Sequence, residues 1–219
     1  MQNKLQQGAL CYNISMNLHD TSEVIQALRE RLEPIERAET LIDVIEGMLP
    51  NARDAAVLLG LFEQDEETYL AFIRRATNLR SHSGEIAFPG GSVDPADTSP
   101  AMTALREARE EIGLDPSRAE VLGIMPPVFT VVSNFLITPV VAYFAQGPGT
   151  LRLQPSEVAE LIFLPLQGLA DPTIVHTEEW ERGGMKRTVY FYDYGQYRIW
   201  GATARILNEL LGVLRIGST

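Results

Sequence analysis

The chain has 219 residues, with 18 Lys and Arg against 29 Asp and Glu, a formal charge of −11. That length suits one domain with an appendage, and 45% apolar with 21% charged residues excludes wholesale disorder. So acidic a balance excludes nucleic acid as a general partner, although a local basic patch could hold one small phosphorylated ligand.

Cys11 is the single cysteine, so no internal disulfide can form, and a reducing, cytoplasmic setting is the simplest reading. A membrane-spanning helix needs ~20 apolar residues. The longest such run here, Ala55 to Phe62, is far shorter, so no membrane association is expected. Lys4 is the only early positive charge and the apolar stretch after Gly8 stops at Asn13, which does not read as a secretory signal.

Residues 1–19 show no clear period, and Met16 could begin the native chain. Asp20, Thr21 and Ser22 can cap a helix, and Val24, Leu28 and Leu32 follow at helical spacing. Pro34 ends or offsets that helix; Leu41, Ile42, Ile45 and Leu49 mark a second. Residues 55–62 and 69–73 read as strands joined by an acidic turn. Residues 84–97, rich in Gly, Pro and Asp, read as a loop. Residues 98–112 form a strong helix with Ala104, Leu105, Ala108 and Ile112 apolar and Gly113 as its stop. Strands are expected near 119–125, 135–144, 158–164 and 186–193, and a closing helix over 202–214. This order predicts an α/β fold, a sheet packed between helices, with residues 1–50 as a helical extension and 51–219 as the main domain.

The central helix carries the chemistry. Glu107, Glu110 and Glu111 stand at i, i+3 and i+4 and share one face. Three like charges there repel unless something cationic sits against them, and a hard divalent cation with oxygen ligands fits. A solvated charged face is the plainer alternative. Phe88-Pro89-Gly90-Gly91 lies just ahead, a tight turn whose glycines allow close backbone approach, followed by Asp94 and Asp97. Glycine turn, acids, then Arg-Glu and Glu-Glu before a glycine is a much more specific combination.

This segment resembles the Nudix box. Gly91 matches its glycine, and Arg106, Glu107, Ala108, Glu110, Glu111, Gly113 and Leu114 match its second half. Asp97 stands where the pattern has Glu, and eight residues rather than seven separate it from Arg106. That longer, Asp-containing first half is similar to the coenzyme A pyrophosphatase branch. So are the upstream stretch from Arg75 to Gly91, residues 155–160, and residues 199–207, so that the resemblance covers about residues 55–210.

The resemblance implies a Nudix-type α/β/α sandwich with a mixed sheet. It also implies a Mg²⁺- or Mn²⁺-dependent hydrolase that cleaves coenzyme A or acyl-CoA to 3′,5′-ADP and (acyl-)4′-phosphopantetheine. Glu107 and Glu111 become principal metal ligands, with Glu110 a further ligand or the base and a backbone contact at Gly91. Arg106 would hold a neighbouring carboxylate, and Glu157 or Glu160 is a candidate general base. Residues 74–82 hold Arg74, Arg75, Arg80 and His82 and no acid. Arg75, Arg80 and His82 are therefore candidates for substrate phosphates. Tyr190, Phe191, Tyr192, Tyr194, Tyr197 and Trp200 favour sheet packing, although one could stack on adenine. The first helices could cover the sheet or form a homodimer contact. Two alternatives remain: a Nudix hydrolase for another nucleoside diphosphate such as ADP-ribose, and a non-catalytic nucleotide-binding module.

Overall fold

The computed structural model describes residues 17–46, 51–77, 83–182 and 185–215. Cys11, Met16, Leu49, Arg80 and His82 lie outside them. Asp20 caps helix α1 (Thr21–Arg31), its carboxylate accepting from the amides of Ser22 and Glu23 at 3.0 and 3.1 Å. After Pro34, a 3-10 turn (Ile35–Arg37) leads into α2 (Ala38–Glu46).

Strands β1 (Arg53–Gln64) and β2 (Glu67–Arg75) form the expected hairpin. Asp65 and Glu66 take φ of 51° and 62°, as a two-residue hairpin turn requires. The hairpin pairs directly only from Leu61↔Leu70 to Gln64↔Glu67. Beyond that the strands part, and the chain around Phe88-Pro89-Gly90-Gly91 fills the gap. There β3 (Ile86–Ala87) bonds to β2, and β4 (Gly90–Ser92) bonds to β1. The stretch expected to be loop thus contributes two short strands. Its Gly and Pro content hides them because the two neighbouring strands, not local propensity, supply the pairing.

Helix α3 (Pro100–Ile112) follows, then β5 (Glu120–Ile124), β6 (Val128–Thr130), β7 (Phe135–Tyr143), β8 (Val158–Pro165) and the short α4 (Leu166–Leu169). β7 runs parallel to β1, while β5 and β6 pair with β7, and β8 with β2, all antiparallel, giving a mixed eight-stranded sheet. One face packs on α3 through Ala104, Ala108 and Ile112 against Ala56, Leu58 and Val140. The other face is covered by α1 and by α5 (Gly201–Arg215), with Val24, Leu28, Leu207 and Leu210 against Leu59 and Phe72. This is the expected α/β/α sandwich.

A second, three-stranded antiparallel sheet joins β9 (Val175–Arg182), β10 (Met185–Tyr194) and β11 (Tyr197–Trp200). Tyr192 is buried in the core and its hydroxyl donates to Asn208 Oδ1 at 3.1 Å. Phe191 stacks between His176 and Trp200 across the strands, so these aromatics serve packing. Among the described residues no helix is long and apolar enough to cross a membrane.

Candidate active site

Ser99 caps α3 by accepting from the Met102 amide, and Gly113, at φ 69°, terminates it. Between these ends, α3 lies across β4, so its glutamates meet the Gly90–Gly91 backbone. Glu111 is almost wholly buried, with 2% of its side chain exposed, and accepts from the Gly90 amide at 3.0 Å. Glu107 packs against Gly91, where a Cβ would stand 2.5 Å from the Glu107 carboxyl carbon. At Gly90, with φ 155°, a Cβ would run into the Ala56 carbonyl and come within 2.7 Å of Val57 Cα. A side chain at 90 would strike the β1 backbone, and one at 91 would displace the Glu107 carboxylate; glycine at 90 permits the close strand contact, and glycine at 91 leaves room for that carboxylate.

The electrostatics are those of a site short of positive charge. Burial pushes the Glu111 carboxyl up to about 7; the Gly90 hydrogen bond and Arg75 oppose that, and Glu107 and Glu157 add to it. Glu107 is also raised, chiefly by burial, with Arg106 opposing.

Arg106 organises the rest. Its Nε and Nη2 donate to Asp97 at 3.1 and 2.9 Å, its Nη1 to Glu107 at 2.9 Å, and its Nη2 also to the Ser92 carbonyl at 3.0 Å. Glu110, 54% exposed, takes the remaining contact at 3.4 Å. Asp97 accepts from Arg106, from the Thr103 hydroxyl at 2.9 Å and from the Asp94 amide at 3.0 Å. The Arg106 hydrogen bonds hold its carboxyl down at about 2, against its burial. Asp97 therefore anchors Arg106, while Glu107 and Glu111 share the Gly90–Gly91 surface. Arg109, also on α3, is exposed.

Of the other sequence candidates, the structure brings Arg75 and Glu157 to the site. Arg75 Nη1 lies 3.7 Å from Glu111 Oε1. Glu157 sits on the loop stitched to the end of α3 by the Gln154 amide donating to the Glu111 carbonyl at 2.8 Å. The Glu157 carbonyl accepts from Ala76, next to Arg75, at 2.8 Å. Glu160 is placed elsewhere. It accepts from Arg74 Nε at 2.8 Å and from the Tyr197 hydroxyl at 2.9 Å. Strand alternation puts Arg74 with Phe72, on the face opposite α3. Arg80 and His82 lie outside the described residues; of the residues flanking them in sequence, the Ser83 hydroxyl donates to the Thr77 carbonyl at 2.7 Å.

The Gly90 amide was not picked out by sequence reasoning as a partner of Glu111. Arg106 holds a neighbouring carboxylate, Glu107, as expected; its own anchoring by Asp97 is what the spacing does not show. Among the described residues no three acidic, imidazole or thiol groups already converge as a cage. The donor set nonetheless fits a hard divalent cation. Two carboxylates with raised affinity for protons share one surface; Glu107 is paired with Arg106, but buried Glu111 has a single hydrogen bond and, among the described residues, only Arg75 at 3.7 Å as countercharge.

A NUDIX domain profile matches residues 51–182. The chain belongs to the NUDIX family. Its relatives include an uncharacterized Nudix hydrolase, NudL, of Photorhabdus laumondii, 41% identical over 160 residues, which are 73% of this chain and 84% of that one. NudL of Escherichia coli O6:H1, also uncharacterized, is 37% identical over 205 residues, 93% of this chain and 96% of its own. Among solved structures, the Nudix hydrolase RenU of M. smegmatis aligns over 52% of this chain and 72% of its own at 25% identity, with a TM-score of 0.40. Nudix hydrolases act on nucleoside diphosphates and generally use a divalent metal ion.

Proposed function

We propose that this Nudix hydrolase cleaves the diphosphate of coenzyme A or acyl-CoA, giving 3′,5′-ADP and (acyl-)4′-phosphopantetheine. The observation that carries this reading is convergence. Two of the segments similar to the coenzyme A branch meet the Nudix-box glutamates around Glu111: Arg75 and Gly90 from the upstream stretch, and the loop that carries Glu157.

Glu107 and Glu111 would hold Mg²⁺ or Mn²⁺, with Glu110 turning in from the surface and the Gly91 backbone alongside. When bound, the metal supplies charge neutralisation of the diphosphate and activation of the attacking water. The protein's own residues do the rest. Arg106, fixed by Asp97 and Ser92, holds Glu107 in place, so that carboxylate needs little reorganisation during reaction. Glu157 is the proposed general base: it is exposed and close enough for its charge to raise Glu107 and Glu111. Glu160, committed to Arg74 and Tyr197, is assigned to joining the two sheets. Arg75 is assigned to the diphosphate, and Arg80 with His82 to the 3′-phosphate, where a guanidinium can bind two oxygens at once. The lone cysteine and the formal charge of −11 are consistent with a cytoplasmic enzyme acting on a small nucleotide.

Rates on coenzyme A, dephospho-coenzyme A and ADP-ribose test the substrate. Coenzyme A should be preferred, and Arg80→Ala should raise KM for coenzyme A but not for the dephospho form. Equal effects on both would remove the 3′-phosphate assignment; faster cleavage of ADP-ribose would replace the substrate.

A further inference from the structure

Arg75 is the one cation paired with Glu111 among the described residues, and it is paired loosely. At 3.7 Å, Nη1 is within ion-pair range of Glu111 Oε1 but too far for a hydrogen bond. Its Nε is buried and has no hydrogen-bond partner among the described residues. A guanidinium offers five donors in a rigid fork, and leaving one buried and unpaired is costly. Its backbone, in contrast, is pinned on both sides. The Arg75 amide donates to the Glu85 carbonyl at 2.9 Å, and the Arg75 carbonyl accepts from Gly84 at 3.1 Å. The stem is fixed and the head under-committed. Glu111 shows the same incompleteness, with one amide and one distant cation for a buried carboxylate.

We infer that Arg75 is a resident counter-ion. It offsets the Glu111 charge while no metal is bound, yields that carboxylate to a divalent cation, and turns its freed donors to the substrate's diphosphate. This rests on Glu111 being a metal ligand, as proposed above. It makes metal loading and diphosphate recognition parts of one exchange, so the arginine is released for substrate only in the loaded enzyme. The opposing role, an arginine that orients Glu111 for the metal, predicts the opposite sign in a binding experiment.

The test is titration of the nucleotide-free protein with Mn²⁺, following free Mn²⁺ by electron paramagnetic resonance. Wild type, Arg75→Met, Arg75→Lys and Glu111→Gln are compared after circular dichroism has checked each fold. Removing the competing cation should tighten Mn²⁺ binding by about two- to fivefold, the scale of a partly exposed ion pair. Arg75→Lys, which keeps the charge, should fall between wild type and Arg75→Met, and serves if the Met variant does not fold. Unchanged or weaker Mn²⁺ binding in a folded Arg75→Met protein would overturn the counter-ion role. Glu111→Gln binding Mn²⁺ as wild type does would instead overturn the metal-site reading beneath it.

A second measurement uses α,β-methylene-ADP, a diphosphate that resists hydrolysis. Arg75→Met should weaken its binding to the Mn²⁺-loaded protein and leave binding to the metal-free protein unchanged. Equal weakening in both would show an arginine that is free for phosphate at all times, and would overturn the exchange.

Discussion

Replacing Glu111 with Gln should stabilise the metal-free protein above neutral pH while abolishing catalysis. In the fold, burial lifts the Glu111 carboxyl from an ordinary 4.5 to about 7. The folded state then holds its proton more tightly than the unfolded chain. Stability is full below the ordinary carboxylate value, falls as pH rises from there, and reaches its floor above about 7. At roughly 1.4 kcal/mol per unit the full penalty is about 3 kcal/mol. Gln carries no charge at any pH, and its carbonyl can still accept from the Gly90 amide. For a chain of this size about 1 kcal/mol moves Tm by roughly 2–4 °C. In EDTA the variant should match wild type near pH 4 and exceed it by up to roughly 6–12 °C at pH 8. Differential scanning calorimetry across that range reads the difference directly. A variant less stable than wild type at pH 8, or an offset that does not change with pH, would refute the claim that Glu111 is a carboxylate buried without enough countercharge.

Other consequences follow from the same geometry. Gly91→Ala should displace Glu107 and lower kcat by about 100-fold or more through misplacement alone, with far-UV circular dichroism unchanged; a variant near wild-type activity would show that the close approach is unnecessary. Asp97→Asn should cost on the order of 3 kcal/mol by leaving Arg106 in a partly buried site without its anchor, read as a fall in denaturation midpoint. In wild type the Asp97 carboxylate is depressed, so its contribution is present above its ordinary value of 3.8 and is lost as pH falls toward about 2, visible as steep acid destabilisation that Asp97→Asn lacks. Glu157→Gln should lower kcat by about 100-fold with Tm unchanged, whereas Glu160→Gln should lower Tm with kcat nearly unchanged; the reverse pattern would exchange their roles.

The elements legible in the sequence are those whose signals are local. The Asp20 cap, the apolar period of α1, the β1–β2 hairpin and the Gly113 stop each lie within a few residues of the structure they specify. β3 and β4 were not legible, because Ile86–Ala87 and Gly90–Ser92 become strands only where a hairpin parts. β9 was missed because His176-Thr177-Glu178-Glu179-Trp180-Glu181 is mostly polar, and its partner strand supplies the order. At the site, the spacing of Glu107, Glu110 and Glu111 predicts a shared face but not their different depths. Glu111 is buried and Glu110 open because α3 leans on β4 at one edge of that face, which depends on the sheet. The difference between Glu157 and Glu160 was equally hidden. The two are three residues apart, but the pairing of β8 with β2 shifts register beside Arg75, and Glu160 falls on the far face with Arg74.

The most direct test is to incubate the purified protein with coenzyme A and Mg²⁺ or Mn²⁺ and identify the products by mass, with Glu111→Gln in parallel. Metal-dependent release of 3′,5′-ADP and 4′-phosphopantetheine, lost in the variant, is the predicted result. Intact coenzyme A alongside cleaved ADP-ribose would contradict the substrate, and no cleavage of any nucleoside diphosphate would contradict the catalytic role itself.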